Sequence, residues 1–429
     1  MTKEFQAKNI VQQGSVTGGA LCTVSTGEIT KENLGNGTQI GKSNIKALTF
    51  VDDIAGANVE VPSTYRSHEN VVWFSQKKRV SLNGPKCMIM PINKKVSDVV
   101  PQLKIQGKNL QEVEESAYLG DIFNRLGNNW DIIESRVYKG QSCIVNAMSM
   151  CSDVSLGTYA IQTLLLLYGS LFLQVVLNNA GSWSNIIEKQ MDALRTIQLK
   201  YVKRMFHSPA STPNTLAFLE TGILPIEKII HIRQLSFLHH ILRQEDTDPV
   251  KITYQEQIKF HFEKNWGNEV LKIRKLYSIH NTDSDIVSMS KDQWKNLVKK
   301  KITYFTLNEL VKKLDEMKHT EHIEPYTELE PQPYLRKLIP TYARIIFQIR
   351  TRVIDLKSIR KYQYEDTVCR LCGEPDENIE HVVNQCVMIV KTHQINPFSS
   401  DVYELEETAK RCKEFSTKVK KLKTGNGNQ

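Results

Sequence analysis

The feature that most constrains the fold of this chain is a short run of metal-ligand residues near its C-terminal end. In "CRLCGEPDENIEHVVNQC" two cysteines are separated by two residues, a histidine follows after eight more, and a last cysteine after another four. A turn, eased by Gly373, and one helical turn can bring such ligands around a tetrahedral zinc ion. The alternative is a chance cluster of buried thiols beside a surface histidine. The spacing predicts a zinc knuckle with the ligands Cys369, Cys372, His381 and Cys386.

The composition is that of an ordinary folded protein of two or three domains. The chain has 429 residues, 40% of them hydrophobic and 24% charged. Its eight cysteines form no dense disulfide pattern, and no charged-then-apolar leader is seen, so we expect an intracellular protein of the nucleus or cytoplasm. The apolar run Ile161–Leu177 contains Gln162, Thr163 and Gln174 and is short for a bilayer span, which favours a buried helix and no membrane.

Basic residues cluster just before the knuckle. The net charge of +9 is modest, but residues 334–361 hold eight lysines and arginines against the single acid Asp355. A surface of this kind attracts phosphate backbones, and the lysine-rich residues 410–423 point the same way. The alternative is an amphipathic helix whose isoleucines pack inward. The predicted nucleic-acid-binding residues are Arg344, Arg350, Arg352, Lys357, Arg360 and Lys361.

The pattern of the chain changes from sheet-like to helical. Residues 1–105 mix glycine, β-branched residues and alternation, which predicts hairpins of a mixed sheet. Helical spacing dominates later, as in residues 184–206, where Ser184 is the expected N-cap. The acidic, proline-bearing residues 320–333 predict a linker. We therefore expect an α+β protein divided into residues 1–105, 106–319, 320–333, 334–395 and 396–429.

Two adjacent carboxylates stand out in "KALTFVDDIAGANVEV". A strand-like segment leads into Asp52 and Asp53, and a second apolar segment follows. Neighbouring carboxylates repel each other unless cations neutralise them, and carboxylate oxygens are ligands that Mg²⁺ prefers. Surface turns also contain Asp-Asp without any function, so the pair needs support from other motifs.

Further motifs occur in order around this turn. "VQQGSVTGGALC" lies upstream, "SLNGPKC" and "SAYLGDIFN" lie downstream, and "STPNTLAFLETGILPI" lies among the later helices. Together with Phe50–Asp53, the series resembles motifs B, C, D and E of the reverse transcriptases of non-LTR (LINE-type) retrotransposons. The resemblance covers about residues 8–400 and ends with the basic segment and the knuckle.

The resemblance implies a role for each matching residue. Asp52 would be the principal metal-binding carboxylate and Asp53 its companion, with Phe50 beside them and Mg²⁺ or Mn²⁺ as the cofactor. Lys86 would act as a catalytic residue near the pyrophosphate leaving group. The residues implied to contact the nucleotide, template or primer are Gln13, Gly14, Phe50, Tyr118, Leu119 and Gly120.

The resemblance also implies which part of a polymerase each predicted segment would form, and which partners the protein would bind. Residues 1–105 would be part of a right-hand polymerase palm, and residues 106–319 a primer-grip hairpin with a helical thumb or connector. Residues 334–395 would hold the basic helix and the knuckle, followed by a lysine-rich tail over 396–429. The implied partners are an RNA template, a DNA primer and deoxynucleoside triphosphates.

One family motif is missing from the sequence. The family carries a further metal-binding Asp well upstream of the Gln-Gly motif, but only twelve residues precede Gln13 and none is Asp. We therefore expect that the fingers and the first half of the palm are absent and that the strands around Asp52 have an unpaired edge. The two hypotheses are an RNA-directed DNA polymerase, inactive in this truncated form, and an inactive remnant that binds nucleic acid through the basic helix and knuckle.

Overall fold

A computed structural model describes most of the chain. The described residues are 23, 26–31, 34–95, 98–128, 130–153, 160–260, 264–317, 323–389, 391 and 393–425. Gln13 and Gly14 lie outside them. The fold is mixed α/β, mostly helical, with small sheets and a Cys/His cluster near the C-terminus.

The described elements begin with short strands and continue as helices. The strands are β1 Thr38–Ile40, β2 Ser43–Ile45, β3 Ala47–Phe50, β4 Asp53–Gly56, β5 Met88–Ile89, β6 Lys104–Ile105, β7 Lys108–Asn109, β8 Gln111–Glu112, β9 Glu115–Tyr118 and β10 Asp121–Asn124. The helices are α1 Val61–Lys77, α2 Trp130–Asp153, α3 Ala160–Leu167, α4 Leu173–Val176, α5 Glu188–Met205, α6 Asn214–Thr221, α7 Ile226–Leu242, α8 Pro249–Lys259, α9 Trp266–Leu276, α10 Asp283–Ser288, α11 Lys291–Asp315, α12 Tyr334–Lys337, α13 Pro340–Arg350 and α14 Val402–Gly425. Short 3₁₀ turns occupy Glu28–Lys31, Gly84–Lys86 and Lys361–Gln363, and π turns occupy Tyr168–Phe172 and His381–Gln385.

The chain divides into two compact units. The first contains the described residues up to Ile132 together with His240–Glu269, and the second contains Ile133–His239 and the described residues from Val270 onward. Helix α8 belongs to the first unit because it packs on β1 and β2. The predicted boundary after residue 105 lies inside the first unit, and the predicted boundaries after 319, 333 and 395 all lie inside the second.

The sheet of the first unit is fragmented. The described strands form five separate two-stranded sheets, all antiparallel hairpins except the parallel pair β5–β8. Strands of two to four residues offer too few ladder hydrogen bonds and too little apolar surface to build a larger sheet. The expected mixed sheet is therefore present among the described residues only as hairpins, which hold their turns in place by packing against neighbouring elements.

The hairpin β3–β4 has one packed face and one open face. Ala47 and Ile54 contact a small core that contains Val71 and Phe74 of α1. On the other face Leu48 is 52% exposed and Phe50 57% exposed. Within the described part of the chain β3 pairs only with β4.

The apolar run Ile161–Leu177 folds as a helical segment with a π turn in its middle. Helix α3, the π turn Tyr168–Phe172 and α4 follow one another, with Phe172 and Val176 fully buried. Among the described residues, no helix combines the length and the apolar character that crossing a bilayer requires. The prediction of a buried helical segment is therefore confirmed in part, because the side chains of Leu166 and Gln174 remain exposed.

The predicted helix over residues 184–206 is present as α5 but begins later than expected. Its first residue is Glu188, and Ile187 rather than Ser184 precedes it as the capping position. Tyr201 and Met205 are fully buried, as the helical spacing indicates.

The predicted linker is a packed part of the second unit. Every third side chain from position 323 to position 329 is buried. These side chains are Ile323, Tyr326 and Leu329. Gly222 ends α6 at φ +65°, and a Cβ at this position would lie 2.4 Å from the backbone carbon of Glu330. Only glycine therefore lets the two segments approach so closely.

A buried ionic cluster holds this segment in the unit. The fully buried Glu220 accepts hydrogen bonds from Arg350 Nε at 2.7 Å and from the hydroxyl of Tyr334 at 2.8 Å, and Tyr326 donates to the same carboxylate. Burial and the charge of Glu220 raise the pKa of both tyrosines, so both hydroxyls remain protonated donors.

The lysine-rich tail is also packed. Residues Val402–Gly425 form the helix α14, which contacts α13 and the π turn of the knuckle. Arg411 is buried and donates to the carbonyl oxygens of Val383 and His393 at 2.9 and 3.0 Å. The described part of the lysine-rich tail predicted over residues 396–429 therefore belongs to the second unit and packs beside the knuckle.

Candidate metal centre and catalytic turn

Four metal-ligand side chains meet near the C-terminus. The ligand atoms of Cys369, Cys372, His381 and Cys386 all lie within 4.8 Å of one another. Cys369 Sγ is 4.0 Å from Cys386 Sγ, and Cys372 Sγ is 3.3 Å from His381 Nε2. These are the four residues predicted from the spacing.

A turn and a π turn bring the ligands together. Gly373 takes φ +78°, and the backbone N–H of Cys369 donates to the carbonyl of Glu374 at 2.8 Å. His381 and Cys386 are five residues apart, which on an α-helix would point them about 140° apart. The wider π turn His381–Gln385 reduces this angle, and its i to i+5 hydrogen bond joins the carbonyl of His381 to the N–H of Cys386.

Without a metal, burial opposes the charged forms of the ligands. Burial raises the pKa of Cys369 and raises that of Cys386 to about 12. Burial acts on Cys372 in the same direction, but the N–H of Glu374 and neighbouring thiols donate to its sulphur and lower its pKa overall. Burial, aided by the charge of Lys391, lowers the pKa of His381 and keeps the imidazole neutral. A cation that neutralises these buried sulphurs stabilises the whole group.

The distances fit zinc. Tetrahedral zinc with bonds of about 2.3 Å to sulphur and about 2.0 Å to nitrogen places two sulphurs about 3.8 Å apart and a sulphur and a nitrogen about 3.5 Å apart. The observed separations are 4.0 and 3.3 Å. Three thiols, one imidazole and near-complete burial are typical of a closed structural site. This group can therefore bind a metal such as zinc.

A partly buried arginine, overlooked in the sequence, organises the knuckle. Arg370, between the first two cysteines, pairs with the fully buried Glu377 at 2.6 Å and with Asp355 at 3.2 Å. Its guanidinium also lies over the ring of Tyr364 at 5.2 Å. The available signal was that Arg370 is the only lysine or arginine between Cys369 and Cys386, in a loop rich in acids.

The adjacent carboxylates lie at the turn of the hairpin β3–β4. Phe50 pairs with Asp53, so Val51 and Asp52 form the two-residue turn, and both aspartates are exposed. Val51 has φ +56°, which is unfavourable for a β-branched residue. The hydroxyl of Thr26 donates to the carbonyl of Val51 and supports this conformation. Strained residues of this kind cluster at functional sites.

The second hairpin contributes a residue near the aspartates. Tyr118 ends β9, and Leu119 and Gly120 form the turn to β10 with φ +49° and +87°. Burial raises the pKa of Tyr118, and the negative charge of Asp53 raises it further, which indicates that the two side chains lie within electrostatic range. Lys86 ends a 3₁₀ turn, and its side chain is exposed.

Several predicted nucleic-acid-binding residues form ion pairs or hydrogen bonds within the protein. Helix α13 ends at Arg350, where the predicted basic helix was expected to continue. Arg350 is 6% exposed and pairs with Glu220, so it is not available to phosphates and that prediction is corrected. Arg344 donates to the carbonyl of Met205 at 3.1 Å, and Arg352 is partly buried just after the helix.

The remaining predicted basic residues are divided between internal contacts and solvent. Lys357 pairs with Asp366 at 2.6 Å, and Arg360 donates to the carbonyl of Val353 at 2.6 Å. Lys361 is exposed. The segment therefore presents much less free positive charge than its composition indicates.

The sequence was compared with known proteins. No protein-family model matches the chain, and a comparison with curated proteins finds no match.

Proposed function

We propose that this chain carries the nucleotidyl-transfer turn of a reverse transcriptase of the non-LTR retrotransposon type. In this proposal Asp52 and Asp53 bind Mg²⁺ or Mn²⁺, and an RNA template, a DNA primer and deoxynucleoside triphosphates are the partners. The observation that carries the proposal is the Phe-Val-Asp-Asp turn, a hairpin with two exposed carboxylates and Val51 at positive φ.

The neighbourhood of the turn supports the proposal. The charge of Asp53 reaches Tyr118, so the hairpin implied to hold the primer and the one implied to bind metal lie in the same region of the first unit. Exposed Phe50 and Leu119 add apolar surface to the two hairpins. Such surface suits contact with a nucleotide or a primer end.

The chemistry of the turn fits a divalent cation. Mg²⁺ is commonly held by one or two carboxylates together with water and substrate phosphates. Neither Asp52 nor Asp53 forms an ion pair within the described part of the chain, so their oxygens remain available. Bound Mg²⁺ would activate the primer hydroxyl and stabilise the pyrophosphate. The exposed Lys86 would add positive charge beside that leaving group.

Primer extension tests the polymerase proposal. If this chain keeps the polymerase activity, it extends a DNA primer on an RNA template with Mg²⁺ or Mn²⁺, and Asp52→Ala lowers extension at least 100-fold by removing a metal ligand. Asp315→Ala, an exposed aspartate at the end of α11, is the matched control and should retain full activity. Absence of extension by folded wild-type protein would refute the polymerase function for this chain.

A second candidate is a nucleic-acid-binding protein without catalysis. The Cys₃His group favours it, because a closed metal knuckle can present a rigid surface to unpaired RNA. We expect the paired change Cys369→Ser and Cys372→Ser to weaken binding of a structured RNA, measured by fluorescence anisotropy. Unchanged affinity after loss of the metal would exclude the knuckle from binding.

A further inference from the structure

Helix α11 has one buried row and one exposed row of side chains. Residues at four-residue spacing pack into the second unit: Trp294, Val298, Ile302, Thr306, Leu310 and Leu314. The row two residues further along the helix is exposed throughout: Asn296, Lys300, Tyr304, Asn308 and Lys312. Rows displaced by two residues lie about 200° apart on an α-helix, so the second row faces away from the core.

The exposed side of α11 carries uncompensated positive charge. Lys295, Lys299, Lys300 and Lys301 are all exposed, and no acid lies between residues 293 and 308. No ion pair is seen for these four lysines in the described part of the chain. Glu309, the nearest acid that follows, already pairs with Lys228 at 2.6 Å. In residues 334–361, by contrast, several lysine and arginine side chains have partners within the protein.

An aromatic ring lies within this basic surface. Tyr304 is 68% exposed and stands one helical turn after Lys300 and Lys301. On the same row, Asn308 lies one turn after Tyr304 and Asn296 lies two turns before it. A ring face between cations suits a stacked base with phosphates on either side, and base–aromatic stacking contributes about 1–3 kcal/mol per base.

We propose that the exposed face of α11 around Tyr304, formed by Asn296, Lys300, Lys301, Tyr304 and Asn308, binds an unpaired nucleic-acid strand. The lysines contact phosphates, and Tyr304 stacks on a base. An unpaired strand fits better than a duplex because its bases are free to reach the ring. This inference rests on the proposed function, because that function identifies nucleic acid as the partner. It adds a binding surface that is separate in sequence from the catalytic turn and the knuckle.

The test measures binding of fluorescent 20-nucleotide oligo-U RNA and oligo-dT DNA by anisotropy over a range of KCl concentrations. The variants are the double change Lys300→Gln and Lys301→Gln, and the single changes Tyr304→Leu and Tyr304→Phe. The matched control changes Lys272 and Lys275, two exposed lysines of α9, to Gln. Far-UV circular dichroism verifies that each variant is folded.

The proposal gives graded expectations. Each lost phosphate contact lowers the salt slope by about 0.7, so the double lysine variant should lose about 1.4 in slope and bind about 5- to 30-fold more weakly at 100 mM KCl. Tyr304→Leu should weaken binding at least 5-fold, while Tyr304→Phe retains the stacking face. The control should bind as the wild type does.

Other outcomes contradict the assignment. Equal losses in the double lysine variant and the control would show only a general charge effect, and unchanged binding by Tyr304→Leu would remove the stacking role. Competition by polyglutamate at equal charge concentration would assign the face to an acidic protein instead. A preference for either RNA or DNA is consistent with the proposal. Asp52→Ala should bind the oligonucleotides as the wild type does, so a loss of catalysis can be distinguished from a loss of binding at this surface.

Discussion

Replacing Cys386 by Ser is expected to abolish zinc binding and to unfold the knuckle between Thr367 and Ile395. The fully buried Cys386 supplies one of four ligands, and closed zinc sites contribute folding free energy directly, about 10–16 kcal/mol of apparent binding in small zinc domains. We expect one zinc per wild-type chain by atomic emission and none retained by the variant. Limited proteolysis should then cut within the knuckle.

The control for this experiment is another buried cysteine. Cys412 on α14 is 3% exposed but does not belong to the metal-ligand group. Cys412→Ala should keep one zinc per chain and resist proteolysis at the knuckle. If wild-type protein purified at neutral pH with zinc present contains no metal, or if both variants retain it equally, the metal centre is refuted.

Replacing Arg350 by Met is expected to destabilise the second unit by about 3–5 kcal/mol, because it leaves the carboxylate of Glu220 buried without a counter-charge. The measurement is the free energy of unfolding from urea titrations at neutral pH. Arg336→Met is the control, since Arg336 is an exposed arginine of the same basic segment and should change stability by less than about 0.5 kcal/mol.

A double variant separates loss of charge balance from loss of packing. Adding Glu220→Gln to Arg350→Met removes the unpaired carboxylate, so part of the lost stability should return. Equal stabilities of the Arg336 and Arg350 variants would contradict the buried pair. A selective loss of nucleic-acid binding at unchanged stability would instead restore the original prediction that Arg350 contacts phosphates.

Short-range patterns were sufficient for two predicted features. The spacing of Cys369, Cys372, His381 and Cys386 predicted a cluster that the structure brings together, because all four ligands lie within 18 residues and need only one turn and one helical turn. The β3–β4 hairpin was likewise evident from two apolar segments on either side of a short polar turn. In both cases the residues that decide the conformation are neighbours in the sequence.

Predictions that depended on the surroundings of a charged residue were less successful. Residues 334–361 look like a basic surface, but Arg350 meets Glu220 from 130 residues away, and Arg344 meets a carbonyl from 139 residues away. Residues 320–333 were predicted to be a linker from their acids and prolines, and the burial of Ile323, Tyr326 and Leu329 at three-residue spacing matches neither the helix nor the strand pattern. The lysine-rich end of the chain packs as α14 through the buried Arg411.

The sequence by itself determined the metal-ligand set, the hairpin with its two carboxylates and the helical character of the later chain, because local spacing and backbone preferences act over a few residues. Only the tertiary structure decided which positive charges are free. A charged group loses hydration when it is buried and then requires a partner, and that partner is chosen by packing between distant segments. For this reason the uncompensated basic face is found on α11, while much of the basic charge expected before the knuckle is used to hold the second unit together.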